Sequence, residues 1–298
     1  MIKKRYKDNK VAYLLLAPWL VGFIGMWLIP MCISIYYSFT DFNLLNDPQF
    51  IGAANYVRAF TQDKTFYKAL KVTFLYVLLL VPLRLAFALF VAMLLNKKHK
   101  GLGLYRTLYY IPSIIGGSIA VSVVWKQIFG NKGVIMTLLG VFGIAQKTSL
   151  IGNPKTALYV IILMGVWQFG SSMLIFLSAL KQISISLYEA SRVDGAGKIN
   201  QFFRITLPLL TPTIFFNLVM QMINGFLAFT QCFIITQGRP MSSTLFYSVY
   251  MYQQSFEFYN TGYGAAMAWV MLVIIAMITV LLFWSKKFWV YEGGNERS

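Results

Sequence analysis

The residues best placed to do chemistry fall in one stretch, EASRVDGAGKINQFFRITLPLL, from Glu189 to Leu210. It gathers two carboxylates, Glu189 and Asp194, with Arg192, Lys198, Arg204 and the run Gly195-Ala196-Gly197-Lys198. A Gly-Lys pair suggests a phosphate cradle. That chemistry needs G-x-x-x-x-G-K-[ST], with a first glycine to turn the chain and a hydroxyl after the lysine to hold Mg²⁺. Here Arg192 stands at the first glycine and Ile199 at the hydroxyl, so both ends of the pattern fail and no nucleotide is expected on this stretch. Elsewhere the material for catalysis is missing. His99 is the only histidine, and no HExxH, CxxC or GxSxG occurs. Metal ligation and triad chemistry have almost no material to work with here. The reading is therefore not an enzyme, with no metal and no cofactor held by this chain. Cys32 and Cys232 both sit in apolar runs and read as small packing residues rather than a disulfide.

What the stretch can build is a bend. Residues 187–193 suit a short helix, and Gly195 and Gly197 can supply the positive φ values of a sharp reversal. Residues 199–206 then place Ile199, Phe202, Phe203 and Ile205 on one side of a second short helix, with Pro208 leading into the next apolar run. A knuckle with mixed charge and exposed apolar groups suits docking on a partner.

The elements that must carry this knuckle are unusually oily. The 298 residues are 58% hydrophobic and 12% charged, with mean hydropathy +0.65. Soluble domains carry about 25% charged residues. Six apolar runs are long enough to cross a bilayer, over 11–39, 69–95, 104–129, 157–180, 208–235 and 264–284. The run after the basic start MIKKRYKDNK is too long for a cleaved leader and reads as a retained first span. Pro18, Pro30, Pro82, Pro112, Pro208 and Pro212 lie in or at the start of these runs. Such breaks are tolerated where neighbouring helices or a cavity satisfy the freed carbonyls, which favours a bundle around a pathway. The formal charge of +17 would suit a nucleic-acid partner, but retention of basic residues on the cytoplasmic side explains it without one. Most Lys and Arg fall in the tail before residue 11, around 97–106, in the 181–204 connection and after 285. That asymmetry puts both termini and the Glu189 stretch in the cytoplasm. On the other side, 133–145 is apolar but too short to span, and 245–263 carries eight Phe or Tyr residues, read as an interfacial belt ahead of a docking surface.

At this point the residues resemble a family. Glu189-Ala190-Ser191, then Gly195, then Ile205-x-Leu207-Pro208 resembles the EAA loop of ATP-binding-cassette importer permeases. The Asp194-Gly195-Ala196-Gly197 form is similar to that of the carbohydrate-uptake branch. Ser191 departs from the usual second Ala, a small-for-small change. RTLYYIPSIIGGSIAVSVVWKQIFG (106–130), TQGRPMSST (236–244, with Arg239 where a second Gly is common) and FWVYEGG (288–294) are similar to further sugar-permease segments. The resemblance implies an all-α membrane protein with six transmembrane helices, the type I ABC importer permease fold, and cytoplasmic N and C termini in a bacterial plasma membrane. The chain divides accordingly into a tail 1–10, a first helix 11–39, a core 69–284 holding the coupling loop 187–208, and a tail 285–298. It further implies half of a heterodimeric pore with a second permease subunit, two ATPase subunits that hold ATP and Mg²⁺, and an extracytoplasmic binding protein that delivers a sugar. Glu189 would contact the ATPase and Gly195 would permit the bend, with Ala190, Ser191, Asp194, Gly197, Ile205, Leu207 and Pro208 completing the coupling segment.

The resemblance also points to a substrate path on the two spans flanking that loop. The matching positions are Trp167, Gln168 and Ser171 on the fourth span, with Gln221, Asn224 and Gly225 on the fifth. Amides hydrogen-bond hydroxyls and aromatic faces stack on sugar C–H surfaces, although interhelical bonding and close packing use the same residues. Arg84 stands alone mid-span with no acidic residue in any run. A membrane-embedded Arg marks a pathway or a paired charge. Its partner is a backbone carbonyl, a group on the sister permease, or an anionic substrate such as an acidic oligosaccharide. Two rivals are a permease for another solute class and an ion-coupled secondary transporter. The second would show inverted repeats and intramembrane acids, and neither is evident.

Overall fold

The computed structural model describes residues 2–97, 101–143 and 148–291, with side chains from residue 11 onward. Lys98, His99, Lys100, residues 144–147 and the tail from 292, including Arg297 and the end of FWVYEGG, lie outside the described residues. Every regular element described is helical, apart from one isolated bridge between Thr40 and Phe50. Four helices are long and apolar enough to cross a membrane: Val11–Ser38, Lys64–Leu95, Lys198–Ile235 and Thr261–Trp289. Two bent pairs, Leu102–Ile115 with Ile119–Ile128 and Ala157–Trp167 with Gly170–Gln182, raise the number to six when each pair is one crossing.

The chain forms two compact units. The first joins Met1–Asp63 to Met251–Val273. Its apolar helix Val11–Ser38 has no buried residue in its most hydrophobic window, which suits a surface whose solvent is lipid. The helix end is tied down by Asn55, whose amide donates to the carbonyls of Ser38 (3.0 Å) and Thr40 (2.8 Å). The Tyr263 hydroxyl donates to Asp63 (2.6 Å), and the Arg58 guanidinium lies over the Tyr263 ring at 4.3 Å.

The second unit, Lys64–Tyr250 with Ile274–Ser298, is built around the helix Lys64–Leu95. Phe66, Ala69, Thr73, Val77, Leu80, Ala88, Val91 and Leu95 recur at three- and four-residue spacing and are all buried. This is the period of one helix face, and Arg84 falls on it four residues after Leu80. The face packs against Ala157–Trp167, Gly170–Gln182 and Leu207–Phe226. Close approach needs small residues. A Cβ on Gly165 would lie 2.5 Å from Leu80 Cδ1, and one on Gly225 3.0 Å from Val77 Cγ2.

The helix breaks are not where the prolines suggest. Pro18, Pro82, Pro112 and Pro212 remain inside helices. The sharp bends fall at Gly116–Ser118, where the axis turns by 96°, and around Gln168, where it turns by 42°. Pro30 and Pro208 are instead accommodated by π turns, at Ile24–Leu28 and Phe202–Thr206. Proline cannot donate to the carbonyl four residues back and its ring crowds that oxygen, so the wider turn relieves both problems.

Candidate functional site

Two sites emerge in the second unit, a projecting knuckle and a polar cavity. The knuckle starts with the helix Ile185–Val193. Asp194 is its C-cap, and Gly195 follows at φ +81°. The Ala196 amide donates to the Ser191 carbonyl (2.8 Å) and the Gly195 amide to the Arg192 carbonyl (3.0 Å). These are the two bonds of a Schellman motif, which requires a left-handed residue at this position. Nothing lies within 4 Å of a Cβ built on Gly195, so backbone conformation and not space selects glycine there. Gly197 differs from expectation. Its φ is −72° and ψ 166°, an extended N-cap to the next helix, so a single positive-φ glycine suffices for the reversal.

The second arm runs Lys198–Gln201, through the π turn Phe202–Thr206, into Leu207–Phe226. Ile205, Leu207 and Pro208 are half-buried within this continuous rod, so the helix is already under way where Pro208 leads into the apolar run. The two arms are locked together. Buried Gln201 donates through Nε2 to the Ser191 hydroxyl (2.9 Å) and the Tyr188 carbonyl (3.2 Å), and the Tyr188 and Thr206 hydroxyls share a bond of 2.8 Å. Ser191 therefore does more than replace a small residue: its hydroxyl receives the opposite arm. Gln201, Tyr188 and Thr206 were missed from sequence, where nothing marks them except polar type beside an exposed turn. Glu189 and Ala190 are exposed on the first arm, and around them Val193 is 89% exposed, Ile199 75% and Phe203 60%.

The cavity, of about 290 Å³, is lined by Tyr76, Leu80, Arg84, Gly165, Gln168, Ser171, Gln221, Asn224, Gly225, Ala228 and Gln231. It thus brings together six of the seven positions read as a substrate path. Trp167 is not among the lining residues and packs against Trp125, ring centroids 5.8 Å apart. Sequence reasoning missed Tyr76, which shares a helix face with Leu80 and Arg84 at four-residue steps, and Gln231, which follows the interruption after Phe226. The volume sits at the lower edge of the roughly 300–1,000 Å³ usual for ligand pockets. Three side-chain amides on the fifth span and its continuation can exchange hydrogen bonds with hydroxyls. Gln221 is oriented by a bond from Nε2 to Ser172 Oγ (3.1 Å). Arg84 donates through Nη2 to the main-chain carbonyl of Gln168, while its Nε is buried without a partner. A backbone carbonyl is thus the partner found among the three considered, and no carboxylate lines the cavity. Among the described residues no three His, Cys, Asp or Glu side chains gather into a metal cluster.

A bundle of bent apolar helices around an amide-lined cavity, with a locked knuckle continuous with one span, defines a membrane permease. The chain belongs to the family described as binding-protein-dependent transport system inner membrane component, which matches residues 64–289. It is a multi-pass membrane protein and a permease subunit. It is 51% identical to the "Probable ABC transporter permease protein YesP" of Bacillus subtilis over 97% of this chain and 94% of that one. It is 31% identical to the "Probable starch degradation products transport system permease protein AmyD" of Thermoanaerobacterium thermosulfurigenes, covering 93% and 94%. Its fold superposes at TM-score 0.84 and 22% identity on a chain of a bacterial ABC transporter involved in the import of the acidic polysaccharide alginate, covering 96% of this chain and 99% of that one.

Proposed function

We propose that this chain forms half of the translocation pathway of an ATP-driven importer for a sugar or oligosaccharide, handed over by an extracytoplasmic binding protein. The carrying observation is the knuckle: a rigid, polar-locked turn that leaves Val193 and Ile199 almost bare. Apolar groups held out on so stiff a scaffold suit a partner's cleft, and an ATPase subunit is the partner that this family's transport requires. Glu189 and Arg192 would supply polar contacts around them. Because the second arm is continuous with the fifth span, displacement at Ile199 passes along about 33 Å of helix to Gln221. Closing of the ATPase pair would in this way reshape the cavity, an alternating-access step. The knuckle and both termini would lie on the cytoplasmic side, a placement that the distribution of Lys and Arg supports. A second permease subunit completes the pathway.

The sugar assignment follows the transport named for the AmyD relative and the amide-rich lining. Cross-linking tests the coupling role. In a background without Cys32 and Cys232, Val193→Cys should form a cross-link to the ATPase subunit that changes in yield with ATP. Absence of that adduct in an active complex would remove the knuckle from the ATPase interface. Arg84 gives the lining a net positive charge, which favours an acidic sugar. Arg84→Gln should then lower uptake of acidic sugars more than neutral ones. Equal losses would confine Arg84 to holding the Gln168 carbonyl.

A further inference from the structure

The two bent pairs are bent at places that touch. Each break frees a main-chain carbonyl inside the apolar region, where an unsatisfied one costs several kcal/mol. The carbonyl freed in the first pair is that of Gly116, and it receives Gln168 Nε2 at 3.1 Å. The carbonyl freed in the second is that of Gln168 itself, and it receives the Ser113 hydroxyl at 2.9 Å as well as Arg84. Ser113 Oγ in turn accepts the Ser171 amide at 3.0 Å, just past the second bend. The packing is as close as the bonding. A Cβ on Gly116 would lie 2.5 Å from Gln168 Cγ, and one on Gly170 3.0 Å from Ser113 Oγ. A residue at or close to each break thus caps a carbonyl at the other: Gln168 lies in the second break, and Ser113 three residues ahead of Gly116 in the first pair.

We infer that Gln168 is a positioning residue that clamps the two breaks into a single hinge, so that both bent pairs change shape together when the cavity opens and closes. The inference rests on the importer reading and reassigns Gln168 from sugar contact to the control of helix geometry. Its amide is committed to Gly116, its carbonyl to Ser113 and Arg84, and the residue is buried. Coupling of this kind follows from bistable packing, in which small local shifts are carried by elements that move as bodies.

The test uses the assembled importer, with its binding protein, in lipid nanodiscs for distances and in proteoliposomes for uptake. Gln168→Leu should lower the maximal uptake rate by roughly tenfold, the size expected for one buried carbonyl left unpaired. The half-saturating concentration of sugar-loaded binding protein should not change. Ser113→Ala opens the other half of the clamp, and its smaller change keeps the test informative if the Leu variant inserts poorly. The double variant should be no worse than the poorer single one, because groups acting as a unit are not additive. Spin labels at the exposed positions Ile119 and Leu163, flanking the two breaks, read the clamp directly and without cargo. In the parent their distance should keep one narrow distribution with and without ATP, and in both variants it should broaden. A raised half-saturation or altered sugar preference at full rate would overturn the inference by making Gln168 a sugar contact. An unbroadened label distance would overturn it too. Should the parent complex move no sugar, the importer reading fails while the label distances still judge the clamp.

Discussion

Glycine at position 195 is demanded by conformation alone, which makes it the most informative single residue of the knuckle. A β-branched side chain there meets no neighbour but must adopt the left-handed region, at about 1–2 kcal/mol. Gly195→Val should therefore leave insertion unchanged while loosening the Schellman turn. The expected outcome is sugar uptake reduced several-fold relative to ATP hydrolysis, read as the ratio of the two rates in proteoliposomes. An unchanged ratio would show that the turn has no part in coupling. Gly195, Ser191 and Arg84 were all legible in the sequence as residue types in unusual places. Their partners were not. Arg84 binds a carbonyl and Ser191 binds Gln201, and a main-chain acceptor or a contact ten residues away leaves no mark on a one-dimensional pattern.

Helices here meet through small residues, and this packing separates two glycines of the same type. Gly165 faces Leu80 and Tyr76, whereas a Cβ on Gly117 would meet nothing within 4 Å. Gly165→Val should destabilise the bundle by about 1–3 kcal/mol, the usual range for overpacking. Gly117→Ala should be close to neutral, and thermal unfolding in detergent distinguishes them. If both were neutral, close contact between the second and fourth spans would be disproved. At this scale the apolar runs located the spans, but their shape depended on features that hydropathy does not carry. The helix Lys64–Leu95 begins five residues before its apolar run, because Lys64 and Lys68 extend it as polar turns. Prolines looked like breaks and proved to be housed in helices, Pro30 and Pro208 just after a π turn. The actual bends use Gly116-Gly117-Ser118 and Gln168, residues whose role becomes visible only when two spans are side by side. The aromatic run after 245 likewise divides: Phe246 and Tyr247 are fully buried in the second unit, while Phe256, Phe258 and Tyr259 are exposed in the first. The interfacial belt expected there is thus only part of its content.

For the molecule as a whole, the functional claim is a division of labour. In the proposed importer this chain would supply a path and a lever, and the energy source, the cargo receptor and the other half of the path would be separate proteins. The family was legible in residue type, since the EAA loop and the apolar runs both point to the permease that the family match shows. The cavity itself was foreseen as a list of polar positions, and folding brought all but Trp167 to its wall. The most direct measurement is radiolabelled sugar uptake into proteoliposomes holding this chain, its partner permease and the ATPase pair, with ATP inside and binding protein outside. The account predicts accumulation that requires both ATP and the binding protein and that is lost when this chain is omitted. Accumulation driven by an ion gradient, with neither ATP nor binding protein present, would contradict it.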